Sequence, residues 1–486
     1  MMEKRFLSTL CVLSCGLSVN TVFADIYDKQ DDQRIQDVHI QKQVEMTQPV
    51  APDVPKTSSE QGKSLSISAD ELLNYPDLVV RAMAMAVLQN NFDDVAFLLP
   101  YYQKIPNHLR ETMLEQWAKG MVAEAQGDAK TAVRAYRSAL SVNNDASLLR
   151  LRLAMALYAN KEYDASEDQF TKLLSEEMPP QVAQLIHQYL TAIKRQNRVS
   201  INGGINYLAD KNINNAPKNS DLGGGWTAPK AQSAHGIGFN FGVDKKWRLP
   251  QGFFGQTRLD TYGKYYTNNK PYNELTVRVL AGAGHENARH SFALLPFVEK
   301  SYYAGGNADN DKLKYFSTSK GISAQWSYWL NPKWQASVYG EYAKQDYTTR
   351  NHLDGESKSL GVSALYLANA KRYYFTGIDY HKTDTKDADD SFVRQGVRAG
   401  VGQELGLGFS TRVSVNVAQK EYQGVGFFGK IQKNNEYGAS VSVWHKKVHY
   451  AGITPQITWQ YNKVDSNLPL YEYDKHRIFI EMSKKF

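Results

Sequence analysis

The sequence is poor in cysteine: only Cys11 and Cys15 occur, both inside the first fifteen residues. Beyond them no disulfide can staple the fold and no thiolate cluster can hold a metal. Long apolar runs are missing too. No later stretch approaches about 18 consecutive apolar residues, which excludes transmembrane helices. Catalytic signatures are equally scarce, with no P-loop and no nucleophile elbow. GVGFFG at Gly424–Gly429 has dinucleotide spacing but no following helix. HENARH puts His285 and His290 five apart near a strand turn, whereas a zinc protease needs two histidines four apart on a helix. No enzyme, metal or cofactor is expected. Charge of one sign is only mildly in excess, at 57 Lys and Arg against 50 Asp and Glu, or +7. That balance suits anionic headgroups or acidic partners and does not call for nucleic acid.

What is present begins with an export signal. Lys4 and Arg5 precede an apolar stretch from Phe6 to Val19, and Val22-Phe23-Ala24 forms a small-residue cleavage site, giving a signal peptide over 1–24. Cleavage there removes both thiols. VLSC also resembles a lipoprotein signal, which would leave Cys15 as a lipidated N-terminus; the leucine before Ser14 fits that alternative poorly.

At 486 residues the chain is too long for one ordinary core, and two folded units are expected. Residues 25–64 are polar, charged and proline-bearing, with little to bury, and read as a flexible leader. Over 65–197 the period is helical and repeats itself. AQGDAKTAVRAYRSALSV places Ala132 and Tyr136 on a second helix, and Ser166 and Phe170 stand 34 residues further on. Gly120 and Ala154 fill the small position of the first helices, and Phe92 matches Tyr163 in an earlier, weaker copy. The pattern resembles about three degenerate tetratricopeptide repeats. Groove positions of the first helices fall on Trp117, Met121, Leu151, Met155 and Tyr158, an apolar, methionine-bearing set suited to an adaptable client. The competing expectation is that they pack between repeats or against the second unit.

From 198 to 486 the period is two. FSTRVSVNVA sets Val413, Val415 and Val417 against Arg412, Ser414 and Asn416, and GISAQWSYWL alternates likewise from Ile322 to Tyr328. The strands are long, their polar faces rich in serine and charge, and Tyr and Trp gather near their ends; a soluble sandwich lacks that combination. Short turns at LPQG, ENAR, NPK, NAK, GLG and KKV alternate with long polar connections. This is the layout of an outer-membrane barrel, here of about fourteen antiparallel strands, with short turns periplasmic. Since such a barrel has no spare edge, the last strand, HRIFIEMSKKF, must pair with the first near Val199–Leu208. Ile478, Ile480, Met482 and Phe486 form its lipid-facing set, and a terminal Phe resembles an assembly signal. Gly203 and Gly204 lack side chains to knit this seam, or else ease curvature. Basic residues flank several short turns: Lys245, Lys246, Arg248, Lys371, Arg372, Lys446 and Lys447. They read as lipid-headgroup anchors, or as a cationic rim that docks the helical unit or an acidic client.

Export signal, leader, repeats and barrel together resemble the surface lipoprotein assembly modulator family of Gram-negative bacteria. GGINYLADKNINNAP, with its NINNA segment after strand one, strengthens the match. The resemblance implies an outer-membrane translocon of type XI secretion, with its repeats in the periplasm, that moves lipoproteins to the cell surface. Implied partners are surface lipoprotein clients, outer-membrane lipid, the barrel-assembly machinery and periplasmic chaperones, with the chain itself a monomer. An exopolysaccharide exporter also joins repeats to a barrel, usually with a longer array, and a solute channel needs no repeats.

Overall fold

The computed structural model describes residues 29–38, 73–196, 199–223, 226–306, 311–426, 428–448 and 453–485. The cleavage site, most of the leader and Phe486 lie outside the described residues.

A first helix, α1, spans 29–38. Seven more follow: α2 (Pro76–Leu88), α3 (Phe92–Tyr102), α4 (Thr112–Ala125), α5 (Ala129–Leu140), α6 (Ser147–Ala159), α7 (Tyr163–Leu174) and α8 (Pro180–Gln196). None is long and apolar enough to cross a membrane. α2 to α7 form three successive helical hairpins, and α8 closes the stack. Local chemistry sets their starts. The Asn91 side chain accepts from the Asp94 amide, and Asp128 accepts from Thr131 at 3.2 Å, satisfying otherwise orphan N–H groups. The small–large matching is steric. A side chain at Gly120 would overlap the ring of Tyr136, which is fully buried and donates to Glu124 at 2.7 Å. In the next pair Ala154 and Phe170 are both buried, and Ser166 donates to the Ala154 carbonyl at 2.8 Å. Tyr189 of α8 stacks on Phe170 at 5.1 Å.

Fourteen strands then close into one antiparallel barrel. In chain order they are β1 (Ser200–Asp210), β4 (Ala234–Arg248), β5 (Phe253–Tyr266), β6 (Glu274–Glu286), β7 (His290–Tyr303), β8 (Lys314–Asn331), β9 (Trp334–Tyr347), β10 (Gly355–Asn369), β11 (Arg372–Thr385), β12 (Phe392–Glu404), β13 (Phe409–Val425), β14 (Ile431–His445), β15 (Thr454–Ser466) and β16 (Tyr473–Lys485). A small hairpin, β2 (Asp221–Gly223) and β3 (Trp226–Thr227), sits in the first long loop. Alternation decides the faces. Val413, Val415 and Val417 are exposed on the outside, as are Ile478, Ile480 and Met482, while Arg278, Glu299 and Glu341 are buried inside. Those inward charges pair rather than stand alone: Arg278 reaches Glu341 at 2.6 Å and Glu299 at 3.6 Å. The short turns gather at one rim and the long loops at the other. Two short turns share a left-handed pair, Gln251-Gly252 and Leu407-Gly408. Gly252 at φ +82° lies against the Glu286 carbonyl, where a Cβ would collide.

GVGFFG begins in the last two residues of β13, and the element that follows is the strand β14, not a helix. His285 and His290 stack as cross-strand neighbours, their ring nitrogens 2.9 Å apart.

Candidate functional site: a filled lumen and a half-paired seam

Composition assigns the whole of 25–64 to a flexible leader, and residues 29–38 depart from this. They form a helix buried inside the barrel at its long-loop end. The physical reason is pairing: every polar side chain of α1 meets a partner on the wall or loops. Asp31 accepts from Tyr303 at 2.9 Å, Arg34 at 3.0 Å and Arg350 at 2.6 Å. Asp32 accepts from the other arm of Arg350 and lies 2.9 Å from His352 Nε2. Lys29 bridges Asp389 and Asp390 at 2.8 Å each, and Lys420 donates to Asp37 at 2.9 Å. Gln33 pairs with Gln432 at 2.9 Å, Gln30 donates to the Leu470 carbonyl at 3.1 Å, and Gln36 reaches that of Asp390 at 3.4 Å. Ile35 packs against Tyr303, Phe316, Tyr347 and Leu353. Two loop groups are shifted by this environment. Burial pushes the Asp390 carboxyl up to about 6 against the opposing pull of Lys29, and the hydrogen bond to Asp32 raises His352 above its ordinary value. The arrangement fills the outer part of the lumen with a polar helix held by ion pairs.

The seam is the second feature. Among the described residues β1 and β16 share a ladder from Asn202–Lys485 to Asn206–Glu481, five pairs, whereas the other neighbouring strands pair through eleven or more. Both strands continue toward the long loops, Tyr207–Asp210 on one side and Tyr473–Ile480 on the other, each in a backbone ladder with its other neighbour. Gly203 and Gly204 read either as weakening the seam or as easing curvature. They lie in its paired half, opposite Lys484 and Ser483, and Gly204 makes room for the Asn240 side chain. Ile478, Ile480 and Met482 are exposed on the outer face; Phe486 is outside the described residues. The NINNA segment builds the far end of the seam. Asn212 brackets a turn with two hydrogen bonds to Ala216, each 2.8 Å, and Ile213 is buried beside Tyr266 and Tyr272. Asn215 then accepts from Lys475 of β16 at 2.7 Å.

The proposed groove divides differently. Trp117 and Met121 are 5% and 0% exposed, packed in the core between hairpins, and offer no surface to a client. Leu151, Met155 and Tyr158 are half-buried against the cluster around Phe170, with Tyr158 edge-on to Tyr163 and Tyr189. Packing between repeats claims the large apolar residues first. Four exposed apolar side chains stand instead on the first hairpin, Leu78, Met85, Leu88 and Phe97, and Val142 is exposed after α5.

The basic rim also divides. Arg248 stacks on Tyr163 of α7 at 4.1 Å, donates to Gln196 of α8 at 3.3 Å and pairs with Glu286 at 3.0 Å. Lys246 and, from the helical unit, Lys161 meet the same Glu286 at 3.1 and 3.3 Å. This corner joins the helices to the short-turn rim. Lys446 pairs with Glu404 at 2.6 Å, Lys245 is half-buried, and Lys371, Arg372 and Lys447 are exposed. The anionic hub Glu286 went unmarked in the sequence, where it is one acid among fifty.

A closed antiparallel barrel with an apolar outer face belongs to the outer-membrane kind. The family model for the surface lipoprotein assembly modifier matches residues 200–486, and that for its N-terminal TPR repeats matches 65–170. Surface lipoprotein assembly modifier 1 of Haemophilus influenzae is 42% identical over 422 residues, 87% of each chain. The Pasteurella multocida surface lipoprotein assembly modifier is 36% identical, covering 99% of this chain and 97% of its own. Neisseria meningitidis surface lipoprotein assembly modifier 1 is 33% identical over 89% of this chain and 88% of its own. The repeats, the fourteen-stranded barrel and these matches place the chain in the surface lipoprotein assembly modifier family.

Proposed function

We propose that the chain is an outer-membrane translocon that moves lipoproteins to the cell surface, with the helical repeats in the periplasm. The observation that carries this reading is the pairing of a helical unit at the short-turn rim with a lumen closed by α1 at the other. A permanently open solute channel has no use for a helix held by ion pairs to two loops and two strands. A conduit that opens only when a client engages the repeats does. Three hairpins also make a short adaptor, which counts against a glycan exporter. The work is transfer rather than bond chemistry: folding energy and client binding supply what is needed, and no nucleophile or metal enters. Lipid, the barrel-assembly machinery and periplasmic chaperones would serve its insertion, and one copy suffices to form the passage.

The test is surface display of a reporter lipoprotein on intact cells, with and without the chain, by protease shaving and antibody labelling. Display that depends on the chain at constant total reporter supports the reading. Display that is indifferent to the chain, with altered solute uptake or glycan export instead, overturns it.

A further inference from the structure

A lipoprotein presents two unlike parts to a barrel, a polypeptide and a set of acyl chains. Charged pairs line the wall, Arg278 with Glu341 and Arg394 with Asp379, and the apolar residues among them, Phe254, Leu280, Leu295 and Phe297, are already buried against one another. At the long-loop end the axial way is filled by α1.

One part of the wall differs. Continuing the register beyond Asn206–Glu481 sets Tyr207 against Ile480, Leu208 against Phe479, Ala209 against Ile478 and Asp210 against Arg477, yet no ladder forms between them. With a rise of about 3.3 Å per residue, the slit is roughly 13 Å tall. Its outer lips are apolar, with Tyr207, Ile478 and Ile480 all exposed. Its inner lips carry Leu208 and Phe479, both half-buried. Below, the five-pair ladder bounds it. Above, it is bridged by side chains and one backbone bond: Lys475 to Asn215 at 2.7 Å and to Asp210 at 3.4 Å, Lys218 to Asp474 at 3.0 Å, and the Lys218 amide to the Glu472 carbonyl at 3.3 Å. Unpaired backbone groups facing lipid are costly, and a barrel normally removes them by closing its edges. Their presence at the only contact between first and last strand makes this the easiest line along which the barrel can part.

Resting on the translocon reading, we propose that the slit between Tyr207–Asp210 and Arg477–Ile480 is a lateral exit for the acyl chains of the client lipoprotein. The chains leave the lumen sideways in the half of the barrel nearest the long loops, where the outer leaflet lies. The Lys475–Asn215–Asp210 and Lys218–Asp474 contacts hold the upper end shut, so the slit widens without the strands separating below. The NINNA turn is thereby the latch of the exit.

The experiment bridges the slit. Both native cysteines lie at positions 11 and 15, so introduced pairs report alone in the exported chain. Tyr207→Cys with Ile480→Cys spans the slit; Ile205→Cys with Met482→Cys spans the ladder below it, where those residues are already partners. Oxidation of the first pair is expected to lower reporter display at least tenfold, with recovery on reduction, while the second pair leaves display unchanged. Full display with the slit pair cross-linked overturns the lateral exit and leaves the translocon reading standing. Equal loss from both pairs overturns the assignment to the outer half. Display independent of the chain without any cross-link is the separate failure of the translocon reading. A second measurement does not depend on disulfide formation. Reporter carrying diazirine palmitate should label β1 and β16 peptides at least fivefold over β12 and β13, and even labelling around the barrel overturns the proposal.

Discussion

Arg350→Ala tests whether ion pairing is what seats α1 in the lumen. Arg350 bridges two adjacent acids of the helix, Asp31 at 2.6 Å and Asp32 through its other arm. Its removal leaves two carboxylates, 4% and 1% exposed, short of a cation. Breaking a buried pair costs about 3–5 kcal/mol. Asp31 keeps Arg34 and Asp32 keeps His352, at 3.0 and 2.9 Å, which sets the loss near the lower end. About 3 kcal/mol corresponds to roughly a hundredfold shift of the seated–released equilibrium. Gln36→Cys supplies the reporter, since Gln36 is buried and makes one long hydrogen bond. In purified protein a bulky maleimide should react with that thiol roughly a hundredfold faster in the Arg350→Ala background. Arg350→Lys, which keeps the charge without the two-armed geometry, should fall between. Planar-bilayer conductance should rise in the same order. An unchanged labelling rate in a barrel that still shows heat-modifiable mobility would refute the reasoning, because the helix would then be held by something other than these pairs.

Acid should tighten the same helix. Seating raises Asp390 to about 6, so ionised Asp390 opposes seating, a penalty that is full above that pH and fades as the pH falls toward the ordinary carboxylate value. His352, raised by Asp32, favours seating while protonated and loses that contribution as the pH rises through its raised value. Labelling at Gln36→Cys, divided by the rate of a free cysteine peptide at the same pH to remove the thiolate dependence, should therefore slow between about pH 8 and 5, and a faster normalised rate in acid would contradict the assignment of Lys29, Asp32, Asp389 and Asp390 to one cluster. Arg248→Ala removes the stack on Tyr163 and the Glu286 and Gln196 contacts, so limited proteolysis should release the helical unit sooner while the barrel stays intact; an unchanged digestion rate would show that the corner does not join them. Gly120→Ala should destabilise the helical unit by about 1–3 kcal/mol through overlap with Tyr136, and combining it with Tyr136→Leu should cost less than the sum of the two changes in thermal unfolding.

Period and punctuation alone determined the two-part architecture. A helical repeat with Gly120 opposite Tyr136 marks paired helices, and a polarity period of two over long strands, with turns alternating short and long, points to a barrel that closes on itself. The outward set Ile478, Ile480 and Met482 was legible for the same reason, since alternation fixes the face without reference to any other strand. Spacing could not separate the repeat positions that line a surface from those that fill a core, and Trp117 and Met121 proved to be core because neighbouring hairpins cover them. Residues 29–38 carried no signal at all. KQDDQRIQDV has no apolar face and the composition of a solvated tail, and its partners Tyr303, Arg350, Asp390 and Lys420 stand more than 260 residues away in the chain. Only closing the barrel brings those charges around one axis, at a spacing that a polar helix can meet. The seam depends on tertiary structure in the same way: sequence requires β1 and β16 to meet, but how far their ladder runs is set by where the barrel's curvature and the NINNA turn place the two ends.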